Sequence, residues 1–301
     1  MDALIISNPS SGRGAAGKKL PKIQNMLEKE GIHVEVYTTR KKGDAIRKAK
    51  KASSSGAYDM MIASGGDGTI NEVINGIAAS GNTEIKFGVI PMGTENVLAH
   101  EMGIPLNLVK AAKIIIGGNT RKIDLGLANK RYFVLMAGIG FDAHVASRVE
   151  PLLKRLIGSA AYPITAWNEL FRYDHSKISV RVDKKRSVKG CFVVVGNTKL
   201  YGARLRMAPD ADISDGRLDV CIFKGDNILS FLRYALGMIT SRHINFSDIE
   251  YIQAREISIT AEPAALCHVD CEVIGTTPVN IRVVPKAVKM IVNQKEKTKG
   301  G

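Results

Sequence analysis

The chain lacks the features that mark several specialised classes of protein. Its four cysteines include no CxxC pair, and its six histidines do not have the spacing of metal ligands. No apolar run approaches the ~20 residues that are needed to span a bilayer. Residues 1–11 lack the basic start and the long apolar core of a signal peptide. We therefore expect a cytosolic protein with free thiols and without a histidine metal site.

What is present is an ordinary globular composition with an unusual charge. Hydrophobic residues make up 45% of the 301 residues and charged residues 24%, and a chain of this length favours two domains. The net charge of +14 is spread over the chain and favours anionic lipid or nucleic acid as a partner. Because no basic motif is interleaved with aromatic residues, we expect no nucleic-acid partner. A surface tuned only for solubility explains the same charge equally well.

The stretch from Ala63 to Glu72 organises the first part of the chain. An apolar run, Tyr58 to Ile62, precedes its glycines, and a helical pattern of apolar residues follows them. A strand, a tight turn and a helix in this order place free N–H groups at a helix N-terminus, where phosphate binds well. Asp67 would repel phosphates unless a cation lies between them. The stretch therefore predicts a site for a metal-bound nucleotide.

The first 125 residues alternate strand-like and helix-like patterns. Such alternation predicts a doubly wound parallel sheet, in which ligands bind beyond the carboxyl ends of the strands. Four polar or glycine-rich loops each follow a predicted strand directly, at residues 8–12, 39–43, 64–69 and 91–96. We expect these four loops to face one cleft.

From residue 126 the pattern changes to short strand-like runs, among them residues 132–136, 279–284 and 288–292, which are typical of a mainly antiparallel β-sandwich. Two helical segments, 152–171 and 228–241, interrupt these runs. The predicted fold class is α/β plus β. It comprises a nucleotide domain over residues 1–125, a β-sandwich domain over residues 126–292 and a basic tail over residues 293–301.

Two acidic groups lie in the second part of the chain. Residues 209–219 place several carboxylates around a Gly turn, which is either a cation site or an acidic hairpin turn, and spacing alone favours the turn. Asp270 and Glu272 are two residues apart, so in an extended strand both side chains point the same way. They either enter one site together or face solvent.

Six motifs follow one another along the chain: Asn8 to Gly12, Gly65 to Glu72, Pro91 to Thr94, Ala137 to Asp142, Pro209 to Val220 and Asp270 to Glu272. In this order they resemble the motifs of bacterial lipid kinases of the diacylglycerol kinase catalytic-domain family, over about residues 3 to 292. The GGDGT sequence alone is less specific, because NAD kinases and phosphofructokinases carry it too. The order of all six motifs carries the resemblance.

The resemblance implies ATP and Mg²⁺ as cofactors. Asp67 and Asp124 are implied in an Mg²⁺–water network. A structural Mg²⁺ site is implied at the acidic turn, with Asp215 as side-chain ligand and the carbonyls of Asp212 and Arg217. Asp270 or Glu272 is implied as the base that accepts the proton of the substrate hydroxyl. The implied ATP-binding residues are Asn8, Pro9, Ser10, Ser11, Gly12, Thr39, Gly65, Gly66, Asp67, Gly68, Thr69, Ile70, Asn71 and Thr94.

Two positions depart from the family pattern. Val97 follows Asn96 where the family often has an aspartate of the metal network, and a valine cannot bind Mg²⁺. Some relatives that are similar to sphingosine kinases also have an apolar residue there. Cys271 replaces the glycine of the family's DGE motif, so a side chain stands where a glycine would let the backbone approach a ligand.

The sequence thus predicts an Mg²⁺- and ATP-dependent lipid kinase that phosphorylates the hydroxyl of diacylglycerol or a related lipid alcohol. We expect it in the cytoplasm, peripherally at the inner face of an anionic membrane, and a homodimer is an open alternative to a monomer. Residues 152–171 mix cations with apolar residues as interfacial helices do, although core packing explains such a stripe more often. The alternatives are another GGDGT kinase, acting on NAD or a sphingosine-like base, and a non-catalytic nucleotide or lipid sensor.

Overall fold

The structure is a computed structural model that describes residues 1–149, 161–170, 173, 176–202 and 205–293. The side chains of residues 13–18, 161–163 and 170 are outside this description. The chain divides into two compact units, Met1–Ile123 with Lys286–Gly301 and Asp124–Pro285. The predicted domain limits stay predictions. Most of the predicted tail, and residues 152–160 and 171 of the predicted interfacial helix, lie outside the described residues.

The first unit is built on a parallel sheet with the strand order β2-β1-β3-β4, and the end of β18 continues it beside β4. Residues 3–6 of β1 and 60–63 of β3 are fully buried, as expected for central parallel strands. The strands are β1 Asp2–Ser7, β2 His33–Thr38, β3 Met60–Gly65 and β4 Lys86–Pro91. The helices are α1 Ala15–Lys29, α2 Asp44–Ser55, α3 Asp67–Ser80, α4 Val97–Glu101 and α5 Leu108–Gly117, with a 3-10 turn at Ser11–Gly14.

The strand order of the first unit reverses at β1, because β2 pairs on one side of β1 and β3 on the other. The loops that follow β1 and β3 therefore flank a topological switch point, where open α/β sheets bind their ligands.

The second unit is an antiparallel β-sandwich. One sheet has the order β14-β13-β10-β7-β16-β17, and in the other β18, β15, β8 and β9 follow one another. Side chains from both sheets, such as Ile139, Val195, Val180 and Ile259, form one buried core. The fold class predicted from the sequence is confirmed.

The elements after α5 begin with β5 and β6, which form an antiparallel pair. The strands are β5 Thr120–Ala128, β6 Arg131–Phe133, β7 Met136–Ile139, β8 Lys177–Val182, β9 Arg186–Gly190, β10 Phe192–Gly196, β11 Leu200–Tyr201, β12 Leu205–Arg206, β13 Leu218–Phe223, β14 Ile249–Ala254, β15 Glu256–Glu262, β16 Leu266–Val269, β17 Glu272–Thr276 and β18 Val279–Ile291. The helices are α6 Phe141–Arg148, α7 Ala161–Leu170 and α8 Ile228–Ile239, with a 3-10 turn at His243–Asn245.

Two expectations about strands are wrong in detail. The runs expected at residues 279–284 and 288–292 form the single strand β18. The run expected at residues 132–136 is broken into β6 and β7, because the backbone N–H groups of residues 134–136 donate to the carboxylate of Asp270. A tertiary contact of this kind leaves no trace in local periodicity.

The exposed surface of α8 is largely apolar. Leu229, Leu236 and Ile239 are each at least two-thirds exposed on this helix. None of the described helices is both long enough and apolar enough to cross a membrane.

Candidate functional site

The turn between β3 and α3 carries the GGDGT sequence. Gly65 is the last residue of β3, Gly66 caps the helix in an extended conformation, and α3 begins at Asp67. A Cβ atom built on Gly65 would lie 2.6 Å from the Cβ of Thr69, so only glycine fits there. The first turn of α3 thus presents backbone N–H groups beside a strand end, which is the geometry of a phosphate site.

A second glycine turn lies directly against the first. A Cβ atom on Gly93 would lie 2.5 Å from the Cα of Gly66, and one on Gly66 would lie 3.1 Å from the Cα of Gly93. Asn96 fixes the second turn from within: its Oδ1 accepts the N–H of Gly93 at 2.7 Å, and its Nδ2 donates to the carbonyl of Gly93 at 2.8 Å. The two turns therefore form one continuous backbone surface.

Asp67 joins the second turn to the first. Its Oδ1 accepts the backbone N–H of Leu98 at 3.3 Å, in the first turn of α4. Val97, the neighbouring residue, is only 5% exposed and belongs to the core of the first unit. A carboxylate introduced at this position would be buried, which is costly unless the charge is paired.

The loop after β1 meets the same turn. The N–H of Asn8 donates to the carbonyl of Ser64 at 3.1 Å, and its Nδ2 lies 3.4 Å from Oγ1 of Thr69. Its Oδ1 accepts the N–H of Ser10 at 3.0 Å, which shapes the loop. The structure thus brings the NPSSG loop and the GGDGT turn together.

Thr39 lies at the start of the loop after β2. Its N–H and its hydroxyl both donate to the carbonyl of Ser7, at 2.9 and 3.3 Å. The far end of this loop is held by Glu72 of α3, whose carboxylate accepts the N–H of Gly43 at 2.9 Å. Backbone N–H groups of Arg40 and Lys41 lower the pKa of Asp44, which caps the loop. The loop of residues 39–43 is therefore tied to the end of β1 and to α3.

The predicted nucleotide residues differ in what they can offer a ligand. Ile70 is fully buried and Asn71 is 3% exposed, so these two residues offer a ligand little or no accessible surface. The exposed members of the set are Pro9, Ser10, Gly12, Gly68 and Thr94, and the partly exposed ones are Asn8, Ser11, Thr39, Gly66 and Asp67.

In the second unit, Asp124 holds the acidic turn of residues 212–217. Its side chain is buried, its Oδ2 accepts the N–H of Gly216 at 2.6 Å, and its own N–H donates to the carbonyl of Ile213 at 2.7 Å. Asn197 donates to the carbonyl of Asp124 at 3.0 Å. These bonds join residues that are far apart in the sequence into one acidic site.

Asp215 is the carboxylate that this acidic site perturbs. Partial desolvation raises the pKa of Asp215, and the negative charges of Asp212 and Asp124 raise it further. The hydrogen bond that Asp215 accepts from the N–H of Arg217 lowers this pKa and offsets part of the rise. Asp212 itself accepts from the N–H and hydroxyl of Ser214. Like charges gathered in this way favour a cation. Within the described ranges, however, no group of three or more His, Cys, Asp or Glu side chains has the arrangement to hold a metal ion.

The turn between β16 and β17 carries Asp270 and Glu272. Asp270 Oδ2 accepts the N–H of Val134, and its Oδ1 accepts those of Leu135 and Met136, each at 3.0 Å. Glu272 pairs with Arg131 at 2.8 Å. The structure places Asp270 in the two-residue turn and Glu272 at the start of β17, and it gives the two carboxylates different partners.

Four supporting residues were missed by the motif-based prediction. Glu72 and Asn197 each form hydrogen bonds that connect loops. Asp142 and His268 form a buried pair beneath the β16–β17 turn, with 2.6 Å between Oδ2 and Nε2. Glu72 and Asp142 end two of the six motifs, which was the available signal. Asn197 and His268 carry no comparable mark in the sequence.

Comparison with known proteins covers nearly the whole chain. The diacylglycerol kinase catalytic domain matches residues 2–128, and the YegS C-terminal NAD kinase beta sandwich-like domain matches residues 136–292. A diacylglycerol kinase of Bacillus subtilis (strain 168) is 34% identical over 92% of this chain and 91% of its own length. One of Staphylococcus epidermidis (strain ATCC 12228 / FDA PCI 1200) is 33% identical over 92% of this chain and 88% of its own.

Solved structures agree with these sequence matches. The crystal structure of a diacylglycerol kinase from Bacillus anthracis str. Sterne has a TM-score of 0.77 at 25% identity, covering 98% of this chain and 97% of that one. Another structure, of a candidate diacylglycerol kinase from the same strain, has a TM-score of 0.84 at 26% identity and covers 98% of this chain and 96% of that one. The chain therefore belongs to the diacylglycerol kinase family of lipid kinases.

Proposed function

We propose that this lipid kinase transfers the γ-phosphate of ATP, with Mg²⁺, to the hydroxyl of diacylglycerol or a related lipid alcohol. The observation that carries the proposal is the contact between the Gly66 and Gly93 turns, with the N-terminus of α3 beside them. Backbone N–H groups without a covering side chain suit a polyphosphate, because the ligand can approach them closely.

The nucleotide residues act by position and charge. The loop of Asn8 to Gly12, the segment from Gly65 to Asn71, Thr39 and Thr94 would form the ATP site. Phosphoryl transfer asks the protein mainly to orient the reacting groups and to stabilise the phosphate charge. Exposed cations at Arg40, Lys41 and Lys42 add positive potential to the first unit.

The carboxylates assigned to Mg²⁺ fit a hard cation that prefers oxygen ligands. Asp67 and Asp124 would take part through bound water, whereas Asp215 with the carbonyls of Asp212 and Arg217 would hold a second, structural ion. The raised pKa of Asp215 supports this assignment, because a cation would offset the crowding of like charges. Bound Mg²⁺ would neutralise phosphate charge at the nucleotide and reduce repulsion at the acidic turn.

The proton of the attacking hydroxyl needs an acceptor, which we place on the β16–β17 turn at Asp270 or Glu272. A carboxylate base at such a position typically contributes ~10²–10⁴-fold to the rate. The bonds of Asp270 to three N–H groups and the pair of Glu272 with Arg131 would hold both groups in fixed orientations.

A lipid substrate also requires contact with a bilayer. The net charge of +14 supports attraction to an anionic surface, and each Lys or Arg near such a surface contributes about 1 kcal/mol. We therefore propose peripheral binding to anionic membranes. Co-sedimentation with vesicles should rise with their phosphatidylglycerol content and fall with salt, and equal binding to neutral vesicles would contradict the charge-based account.

The decisive experiment is transfer of ³²P from γ-labelled ATP to a panel of acceptors in mixed micelles. We expect label in diacylglycerol or a related lipid alcohol, and dependence on Mg²⁺. Label only in NAD or only in a sphingosine-like base would replace the proposed acceptor. ATP binding without transfer to any member of the panel would favour a nucleotide sensor.

A further inference from the structure

A buried histidine and a buried aspartate lie beneath the turn that carries Asp270 and Glu272. The side chain of His268 is 1% exposed and that of Asp142 is 9% exposed, and His268 Nε2 lies 2.6 Å from Asp142 Oδ2. The hydroxyl of Tyr201 donates to the other carboxylate oxygen of Asp142. A Cβ atom on Gly138 would collide with both members of the pair, so the glycine makes room for it.

The second ring nitrogen of His268 faces the turn itself. The backbone N–H of Cys271 donates to Nδ1 of His268 at 3.2 Å. A backbone N–H can only donate, so Nδ1 must be the acceptor and the ring proton lies on Nε2, where it donates to Asp142. The bonds run from Tyr201 through Asp142 and His268 to the amide of Cys271.

The amide of Cys271 lies in a turn whose backbone conformation is unfavourable for residues with a side chain. Asp270 and Cys271 have φ of 46° and 64°, so both residues of the two-residue turn are left-handed. Such hairpin turns usually have glycine at the second position, because a Cβ atom disfavours the left-handed region. Cys271 therefore needs support from outside the turn.

We propose that His268 is a positioning residue, which holds the amide of Cys271 through Nδ1 and thereby keeps Asp270 and Glu272 in their working orientation. Asp142 and Tyr201 fix the ring and its tautomer. Both ring nitrogens are engaged and the ring is buried, so His268 itself has no contact with substrate. The link from this turn to catalysis rests on the proposed function, whereas the support of the turn by His268 does not.

Two substitutions distinguish the effects of the two hydrogen bonds that the His268 ring makes. His268→Asn keeps an acceptor at the position of Nδ1, and His268→Gln keeps a donor at the position of Nε2. We expect kcat to fall less than threefold in His268→Asn and at least tenfold in His268→Gln, with the KM for ATP unchanged in both. Cys267→Ala, a buried change in the same strand, is the control for destabilisation alone, and its kcat should remain near that of the parent.

A glycine at position 271 should remove the need for support. Cys271→Gly combined with His268→Gln should therefore recover kcat to within threefold of Cys271→Gly alone. If His268→Gln folds only with Cys271→Gly, the proposal is also supported. Failure to fold in both backgrounds, or loss of kcat without recovery, would overturn it.

Amide hydrogen exchange at residue 271, measured by NMR, gives a readout that is independent of activity. We expect exchange to be at least tenfold faster in His268→Gln than in His268→Asn. Equal exchange in the two variants would overturn the proposal even if the enzyme phosphorylates lipid. Conversely, the expected difference in an enzyme that labels no lipid would refute the proposed function and leave the positioning role standing.

Discussion

Gly66 and Gly93 lie with their backbones in contact, since a Cβ atom on Gly93 would come to 2.5 Å from the Cα of Gly66. The residues are 27 positions apart and lie in two different strand-to-helix turns. Their contact makes one backbone surface from two motifs that are separate in the sequence.

Gly93→Ala should weaken nucleotide binding. The added methyl group collides with backbone atoms, which cannot yield as a flexible side chain would, so the two turns must separate. We expect the Kd for ATP, measured by calorimetry, to rise at least tenfold, or about 1.4 kcal/mol. Gly117→Ala in α5, where the new Cβ meets only an ordinary contact at 3.8 Å, is the matched control. Unchanged affinity in Gly93→Ala would remove this surface from the nucleotide site.

Asp67→Asn should strongly slow transfer without unfolding the protein. The amide oxygen can still accept the N–H of Leu98, so the thermal midpoint should change little. Loss of the carboxylate should lower kcat at least 100-fold if Asp67 orients Mg²⁺. Asp67→Ala also loses the hydrogen bond and should cost about 1 kcal/mol in addition. A fully active Asp67→Asn enzyme would refute the role assigned to this carboxylate.

Val97→Asp should destabilise the protein and should not improve catalysis. Val97 is 5% exposed, and an unpaired charge in such a position costs about 3 kcal/mol or more. Urea unfolding measures this cost, and Val97→Ala controls for the loss of apolar volume. A stable Val97→Asp enzyme with higher kcat would show that the position faces the metal after all.

Asp215→Asn should stabilise the metal-free protein and remove its response to Mg²⁺. The pKa of Asp215 is higher in the folded protein than in the unfolded chain, so ionisation of this carboxyl lowers the stability of the fold at a pH above the folded pKa. This loss of stability shrinks as the pH falls through the folded pKa, and it is gone below the unfolded pKa. In EDTA at neutral pH we expect the variant's thermal midpoint to be higher, on the order of 1 °C, and the difference to vanish near pH 4. Added Mg²⁺ should raise the midpoint of the parent only. An equal rise in both proteins would exclude Asp215 as a ligand.

Asp270→Asn and Glu272→Gln together identify the base. The variant that lacks the proton acceptor should lose ~10²–10⁴-fold in kcat. The other should lose less than tenfold. Asp270→Asn should also be less stable by about 1–3 kcal/mol, because an amide cannot satisfy three backbone N–H donors. Near-normal activity in both variants would place the base elsewhere.

The types and order of the elements could be predicted from the sequence because they depend on local periodicity. Alternating strands and helices before residue 125 and short strands after it give the two folds that the structure shows. The four loops of the first unit could be located in the same way, since each follows an apolar strand directly. Strand limits were less certain, as β7 shows, where Asp270 takes up the backbone N–H groups that would otherwise have extended a strand.

The sequence by itself determined the motifs, and with them the family and the chemical types of the candidate site residues. Only the tertiary structure decided how these residues are held. The bond between His268 and Asp142 joins positions 126 residues apart, and Asp124 meets Gly216 across 92 residues. The burial of Val97, which is 5% exposed, is likewise a property of the folded chain. Hydrogen bonds and packing between distant segments have no local periodicity, so they become visible only when the chain is folded.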